Sequence, residues 1–444
     1  MLRSYNRFSK KIVNKSETAV NSIGIELARY PVFIYTLFYF FSAYLVLPLV
    51  DLPFLGLSIS SPIMFLIAVP CIFKPPKPWL KRYQLWVFLA IFLWIGIFFS
   101  TAANGLLSFG VLIDSDSIIL LIQYIYWLIV FVITTYFASQ GTVIDKTVKV
   151  LGWSAMLLGI IRLVEVILYG NISVSMGTQF LTQNAYGALF SMFSPFLLLL
   201  MIGKRKWQTL IALVGYFLLL AAVAINGSRG SWISIAAGLG IGLLILIISK
   251  PRKFITLIIP ILVLLIGFTI IWFNVPEVSN AVSERFNTLQ TLGEDKSYLF
   301  RQIMIQKGLK IFEENPIIGI GSGRFTKTYV DLDLPRVFRE GGNLSRFTTQ
   351  SAHNSYIVIL AENGLLAAIP FAIFLIILLF RGFSAALRSI RRDEYLPLAV
   401  FLSFIQMSIH FWVIASLTNT STWFVYGLIA AVIVMERNRV KECA

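Results

Sequence analysis

Three side chains have types and settings suited to moving a proton and holding a phosphate. His353 is one of only two histidines in 444 residues. It stands in Gln350-Ser-Ala-His353-Asn354-Ser, where a long polar stretch gives way to an apolar run. A neutral imidazole takes up a proton near pH 7, so a histidine at such an edge is placed to act as a general base. The plainer role is to cap or pack the helix that follows. Arg229 lies in Asn226-Gly-Ser228-Arg229-Gly230-Ser, which is the whole connection between two long apolar runs. A connection this short holds the guanidinium at membrane depth, where an unpaired charge costs on the order of 2.5–3.5 kcal/mol. The flanking glycines permit a tight turn and leave room for a bulky group. Its planar fork suits phosphate or pyrophosphate, and the plainer alternative is a snorkelling arginine on lipid phosphate. Arg301 falls on a helix expected from Tyr298 through Phe312, on one face with Ile305, Gly308 and Phe312. That face is otherwise apolar and small, suited to lying on a membrane domain, and an arginine there needs an anion.

The elements that must carry these residues are membrane helices. The chain is 58% hydrophobic and only 13% charged, with mean hydropathy +0.82, whereas soluble domains carry roughly a quarter charged residues. Apolar runs near 31–50, 57–73, 84–101, 117–138, 149–169, 184–202, 208–225, 231–248, 254–273, 364–380, 396–415 and 422–435 predict about twelve spans. The expected class is therefore an all-α polytopic membrane protein with one large loop domain outside the membrane. Its parts are N-terminal helices over 1–273, the loop domain over 274–363 and C-terminal helices over 364–444. Every second loop is basic: Lys74, Lys77, Lys81 and Arg82; Lys204 to Lys206; Lys250, Arg252 and Lys253; Arg381, Arg388, Arg391 and Arg392. The positive-inside rule then places both termini in the cytoplasm and the long polar segment outside. The net charge of +16 is concentrated in these loops, which argues for anionic lipid rather than nucleic acid as the partner. Pro31–Val50 reads as a retained span rather than a cleaved leader. Two cysteines, Cys71 and Cys443, support neither a disulfide framework nor a metal cluster.

Taken together, Ser228-Arg229-Gly230 after a span, Arg301 on the helix opening a large outer segment, and His353-Asn354-Ser-Tyr…Ala361-Glu362-Asn-Gly364 at its end resemble the O-antigen ligase and Wzy-type polymerase superfamily. Gln183-Asn184-Ala-Tyr-Gly187 is similar to a further element of that family. The specific motifs lie within 184–364, and one element is missing: Met176-Gly-Thr-Gln-Phe has no arginine where members often carry one. The resemblance implies a metal-independent, inverting, GT-C-type glycosyltransferase without a cofactor, in the bacterial inner membrane with its active site facing the periplasm. Its donor would be an undecaprenyl-pyrophosphate-linked glycan, and its acceptor lipid A–core in a ligase. A polymerase would use a lipid-linked glycan as acceptor, and an O-oligosaccharyltransferase a protein hydroxyl. Carried over residue by residue, His353 would be the catalytic base and Arg229 and Arg301 the pyrophosphate ligands. Asn184, Ser228, Gly230, Asn354 and Glu362 would support them.

Other signals carry less. Asp114-Ser-Asp116 and Asp331-Leu-Asp333 are D-x-D pairs, but two carboxylates alone make a poor hard-cation site. Arg162 and Glu165 stand three apart within one span and are expected to pair with each other. His410 reads as a packed helix histidine. Gly319-Ile-Gly-Ser-Gly323 has no following lysine and is no nucleotide loop. Asp295 or Ser297 is expected to cap the Arg301 helix, and Pro316 to stop it. Against the enzyme stands a transporter or flippase, which would distribute polar groups through the membrane interior. Here the unusual polar residues gather on one side.

Overall fold

In the computed structural model the described residues are 33–47, 60–73, 79–109, 115–169, 182–202, 206–251, scattered positions from 262 to 283, 296–332, 350–415, 417 and 419–443. Among them there is no strand. The helices are α1 Phe33–Val46, then α2 Ser60–Phe73, α3 Trp79–Phe109, α4 Ser115–Ala138, α5 Gly141–Tyr169, α6 Gln183–Met201, α7 Lys206–Asn226 and α8 Arg229–Ser249. After them come α9 Lys296–Glu314, α10 Ser355–Arg391, α11 Leu396–His410 and α12 Thr420–Cys443. Helices close every backbone hydrogen bond within the segment, as a lipid environment demands. Seven of the described helices, α3 to α8 and α10, are long and apolar enough to cross a membrane, while α1 and α11 are shorter apolar helices. The apolar run 254–273 lies mostly outside the described residues, as do the basic positions Lys74, Lys77, Lys204, Arg205, Arg252 and Lys253.

The helix α6 is the centre of the bundle. Within its apolar window 72% of residues are buried, against 39–44% for the other six long apolar helices. It packs on α5, α7, α8 and α11. Close approach is made possible by small residues, the usual device where lipid offers no hydrophobic drive between helices. A Cβ on Gly238 of α8 would meet the Gln406 side chain at 2.1 Å, and one on Gly152 of α5 would meet the Phe196 carbonyl oxygen at 2.9 Å. Short hydroxyl contacts add to this, Ser191 Oγ to Ser234 Oγ at 2.7 Å and Ser194 Oγ to Gln406 Oε1 at 2.9 Å. Arg162 and Glu165 of α5 form the expected pair at 3.1 Å, both buried. Tyr186 of α6 donates to Glu165 at 2.8 Å and lies under Arg162 with the guanidinium 5.1 Å from its ring centre. The pair is thus part of the α5–α6 seam.

The two ends of the bundle differ. One end carries a web of ion pairs: Lys250–Asp393 at 3.1 Å, Arg392–Glu436 at 2.6 Å, and Arg439 with Glu394. Basic residues expected on the cytoplasmic side therefore sit here. The starts of α6, α8 and α10 and the end of α11 lie at the opposite end.

The helix α10 breaks at Gly364 (φ 58°, ψ −161°), and the break is filled by the glycine loop that follows α9. The amides of Leu365 and Leu366 donate to the carbonyls of Pro316 and Ile317, while those of Ile320 and Gly321 donate to Ala361 and Glu362, at 2.7 to 3.2 Å. Backbone groups orphaned by the break are thereby paired, as burial requires. Ser100 and Asn104 of α3 seal the junction, with Ser100 Oγ bonded to the carbonyls of Ile318 at 2.5 Å and Glu362 at 3.1 Å and Asn104 Nδ2 to that of Gly319 at 3.0 Å. Gly319 and Gly364 both have positive φ, and a Cβ on either would come within 2.4 Å of the other segment's backbone. Gly319→Ala and Gly364→Ala should each cost at least about 1–3 kcal/mol from backbone strain alone. The check is the unfolding temperature of purified protein, with Gly240→Ala as the neutral control because a Cβ there meets nothing within 4 Å.

The helix α9 differs in one respect from the sequence expectation. It starts at Lys296, so Ser297 lies inside its first turn and not at its cap; Asp295 lies outside the described residues. Its most buried residues are Ile303, Met304, Lys307, Gly308 and Ile311, and Arg301, Ile305 and Phe312 flank them half-buried. The expected contact with the membrane domain does form, since a Cβ on Gly308 would meet Ile357 of α10 at 2.2 Å. Lys307, 2% exposed, lies over the Phe325 ring with its Nζ 5.0 Å from the centre, and burial lowers its pKa.

Candidate active site

The turn that carries Arg229 is as short as its sequence requires. Only Gly227 (φ +68°) and Ser228 separate α7 from α8, so Arg229 becomes the first residue of α8. Four backbone amides at a helix start lack intrahelical partners and favour negative charge beside them. The turn is fixed to α6 by a reciprocal pair: Gln183 Nε2 donates to the Asn226 carbonyl, and Asn226 Nδ2 to the Gln183 carbonyl at 2.8 Å. Ser228, 5% exposed, packs where a Cβ on Gly187 would lie 2.7 Å from its hydroxyl. Gly230 has an equally specific reason to be glycine. A Cβ there would meet Val413 at 2.2 Å and the His410 ring at 3.3 Å.

The end of α11 thus lies against the start of α8, and it also holds the start of α10. The Ser355 amide donates to the Phe411 carbonyl at 2.9 Å and Ser355 Oγ to the Ile414 carbonyl at 2.8 Å. Tyr356 OH reaches the Ser408 carbonyl at 2.8 Å. The cap of α10 is Asn354, whose side chain accepts from the amides of Tyr356 at 3.0 Å and Ile357 at 3.2 Å. His353 is therefore not the capping residue. It stands just before the cap with φ 49°, an uncommon conformation for a non-glycine residue and one that concentrates at functional sites. Its ring meets that of Phe300 edge-on, with centroids 6.3 Å apart. Burial, and then the neighbouring Arg301 charge, hold the imidazole below the usual histidine range. At neutral pH it is therefore unprotonated, the form that accepts a proton.

These contacts place Asn184, Ser228, Arg229, Gly230, Arg301, His353 and Asn354 around one end of the bundle. Glu362 is directed elsewhere: its carboxylate takes the Phe325 amide at 3.1 Å and so anchors the glycine loop. Asn363 does similar work, accepting from Ser322 Oγ at 2.7 Å. Among the D-x-D residues, Asp331 is exposed, while Asp114 and Asp333 lie outside the described residues.

The residue undervalued in the sequence is His410. It is 1% exposed, lies against the backbone at Gly230 and Asn184, and is close enough to Arg301 to feel its charge. Neither ring nitrogen has a partner at full hydrogen-bond geometry, and the same is true of Asn226 Oδ1 and Asn354 Nδ2 nearby. Buried polar atoms left in this state each cost about 1–3 kcal/mol, and such groups mark strained or functional sites. Nothing in the spacing of Met407-Ser-Ile-His410-Phe-Trp signals this, because the neighbours come from α6, α8 and α9.

Residues 214–372 match the family model described as O-Antigen ligase. No curated protein matches the chain. The matched span runs from within α7 past the break in α10 and includes Arg229, Arg301 and His353, the residues on which the resemblance was read. Residues 214–372 are thus similar to the O-antigen ligase family, in a chain that carries seven described helices long and apolar enough to cross a membrane.

Proposed function

We propose that this protein transfers a glycan from undecaprenyl pyrophosphate to an acceptor hydroxyl on the periplasmic face, as an O-antigen ligase whose acceptor is lipid A–core. One observation carries the reading: the start of α8 with Arg229, the Arg301 charge and the unprotonated His353 gather at the bundle end opposite the basic loops. In this reaction the bond between the anomeric carbon and the pyrophosphate oxygen breaks, and its electron pair leaves with the phosphate. The acceptor oxygen bonds to the same carbon from the other side, which inverts it. The acceptor proton passes to His353. Arg229 and Arg301 stabilise the charge that grows on the leaving group, so fixed guanidinium groups do the work a metal ion does in other transferases. Outer position and about twelve spans in a GT-C-like arrangement complete the proposal.

The direct test is transfer by purified protein from a lipid-pyrophosphate donor to lipid A–core, alongside the glycan phenotype of a deletion strain. Free lipid-linked polymer with bare core supports the ligase; single repeats attached to core would make the protein a polymerase instead. The pH profile offers a separate check. A base must be unprotonated, so activity falls as pH drops through the His353 pKa, which lies below its ordinary value of 6.5. The midpoint of the acid limb should therefore lie below pH 6.5. Arg301→Gln removes one of the two causes, so its remaining activity should show an acid limb moved to higher pH.

A further inference from the structure

The break in α10 lies deep in the apolar part of the bundle, and its depth can be measured along α3. The apolar span of α3 runs Leu85–Leu107, and Gly96 stands midway, about 16 Å from either end at about 1.5 Å of rise per residue. A Cβ on Gly96 would meet the Leu366 carbonyl oxygen at 2.7 Å, so the residues just after the break stand level with the middle of that span. Ser100 lies about 10 Å from the Leu107 end on the same scale, and its hydroxyl holds the carbonyls of Ile318 and Glu362. Asn104, one turn nearer the end, holds that of Gly319. The second half of α10 agrees. Arg381 ends its apolar run and lies over the Trp86 ring at the far end of the α3 span. From Leu365 to Phe380 the helix rises only about 24 Å, short of a hydrocarbon thickness of about 30 Å. The break is therefore inside the crossing, and the segment 316–321 that pairs with it sits at the same depth.

Irregular backbone persists at such depth only where its polar groups are paired within the protein or face a water-filled cavity. Here they are paired. The carbonyls of Pro316, Ile317, Ile318 and Gly319 each accept a hydrogen bond, from Leu365, Leu366, Ser100 and Asn104 in turn. The side chains that point away from this junction distinguish lipid from water. Ile317 is 68% exposed, and its carbonyl is held by the Leu366 amide. From Leu366 an exposed apolar stripe continues through Ile369, Ile373, Ile376 and Phe380, the spacing of a single helix face. A water-filled path would place polar groups along this face, whereas acyl chains call for the apolar ones found. The water line lies close by, because α9 ends on the exposed pair Glu313 and Glu314. From Glu314 to Ile317 the chain covers at most about 10 Å when extended, enough to pass from charged to apolar surroundings.

We propose that 316–321 is a re-entrant segment seated in the leaflet on the α9 side, with Ile317 in contact with lipid acyl chains. The chain enters from water at the end of α9, completes the break in α10 and leaves again toward the exposed Tyr329. Part of the long segment between the spans is thus a membrane element, and its partner is the hydrocarbon of the bilayer. This seat is independent of the reaction proposed above, because its readout is depth and not transfer.

The test uses full-length protein in liposomes, with both natural cysteines removed as Cys71→Ser and Cys443→Ser. Ile317→Cys, Glu313→Cys and Ile373→Cys are then introduced one at a time, at exposed positions where folding is little disturbed, and unfolding temperatures check that it is not. A charged, water-soluble maleimide should label Ile317→Cys at least about tenfold more slowly than Glu313→Cys, because the reactive thiolate forms in water and not in hydrocarbon. A membrane-permeant bimane attached at Ile317→Cys should be quenched by lipids carrying a nitroxide on the acyl chain as strongly as one at Ile373→Cys, in the middle of the stripe. Aqueous iodide should quench the label at Glu313→Cys and spare that at Ile317→Cys. Labelling of Ile317→Cys as fast as Glu313→Cys overturns the proposal and puts the segment in water. Protection from the maleimide without quenching by the nitroxide lipids overturns it too, since another protein surface would then cover Ile317.

Discussion

His353→Ala and His353→Gln will both lower the rate of glycan transfer by about 10²–10⁴-fold, the contribution typical of a positioned general base. Both variants should reach the membrane at normal levels and bind the lipid-pyrophosphate donor as the wild type does. Glutamine keeps the size and hydrogen-bonding capacity of the side chain but accepts no proton near neutral pH. Its failure would therefore isolate the chemistry from the architecture. Asn354→Ala is the matching structural control. It removes the cap of α10, at a cost of about 1 kcal/mol of stability, and should lower the unfolding temperature more than His353→Gln does. Full transfer by His353→Gln would refute the base and make the residue one that orients the acceptor.

The arginines should respond to shape as well as charge. Arg229→Lys retains the positive charge but loses the planar fork that holds two phosphate oxygens at once. Transfer should drop by about 10²–10³-fold, the loss seen when one fixed donor to a developing anion is removed. The loss should fall mainly on kcat, because the charge on the leaving group grows in the transition state. Arg301→Lys should behave similarly, and, if both side chains serve one pyrophosphate as proposed, the double variant should cost less than the product of the two. Near-full activity in Arg229→Lys would reduce that residue to a diffuse positive charge.

The helices were legible because lipid imposes a simple rule. A run of about 20 apolar residues has few alternatives, so eleven of the twelve predicted runs fall on described helices, and the remaining one, 254–273, lies mostly outside them. Local geometry was legible where the chain left no freedom, as in the two-residue turn before Arg229. Partnerships between distant segments were not. Glu362 and Gly364 belong to a motif, but that they receive the loop at 316–325 depends on the break in α10, which no periodicity encodes. Lys307 offers no warning in sequence, because its burial against Phe325 is a matter of how the loop folds back. His410 looked like packing for the same reason: its environment is made by three other helices. What spacing reveals is which residues share an element; what it hides is which elements share a residue.

The pairing of the glycine loop with the broken helix also sets where this protein can be cut and recombined. Residues 316–321 and 361–366 complete one another's hydrogen bonds, so the two stretches form a single clasp. A chimera that imports the outer segment of a relative but keeps its own α10 would bring mismatched halves of that clasp together. Swapped segments should therefore fold stably with boundaries ahead of α9 and beyond Leu366, and fail to do so with a boundary placed at the start of α10.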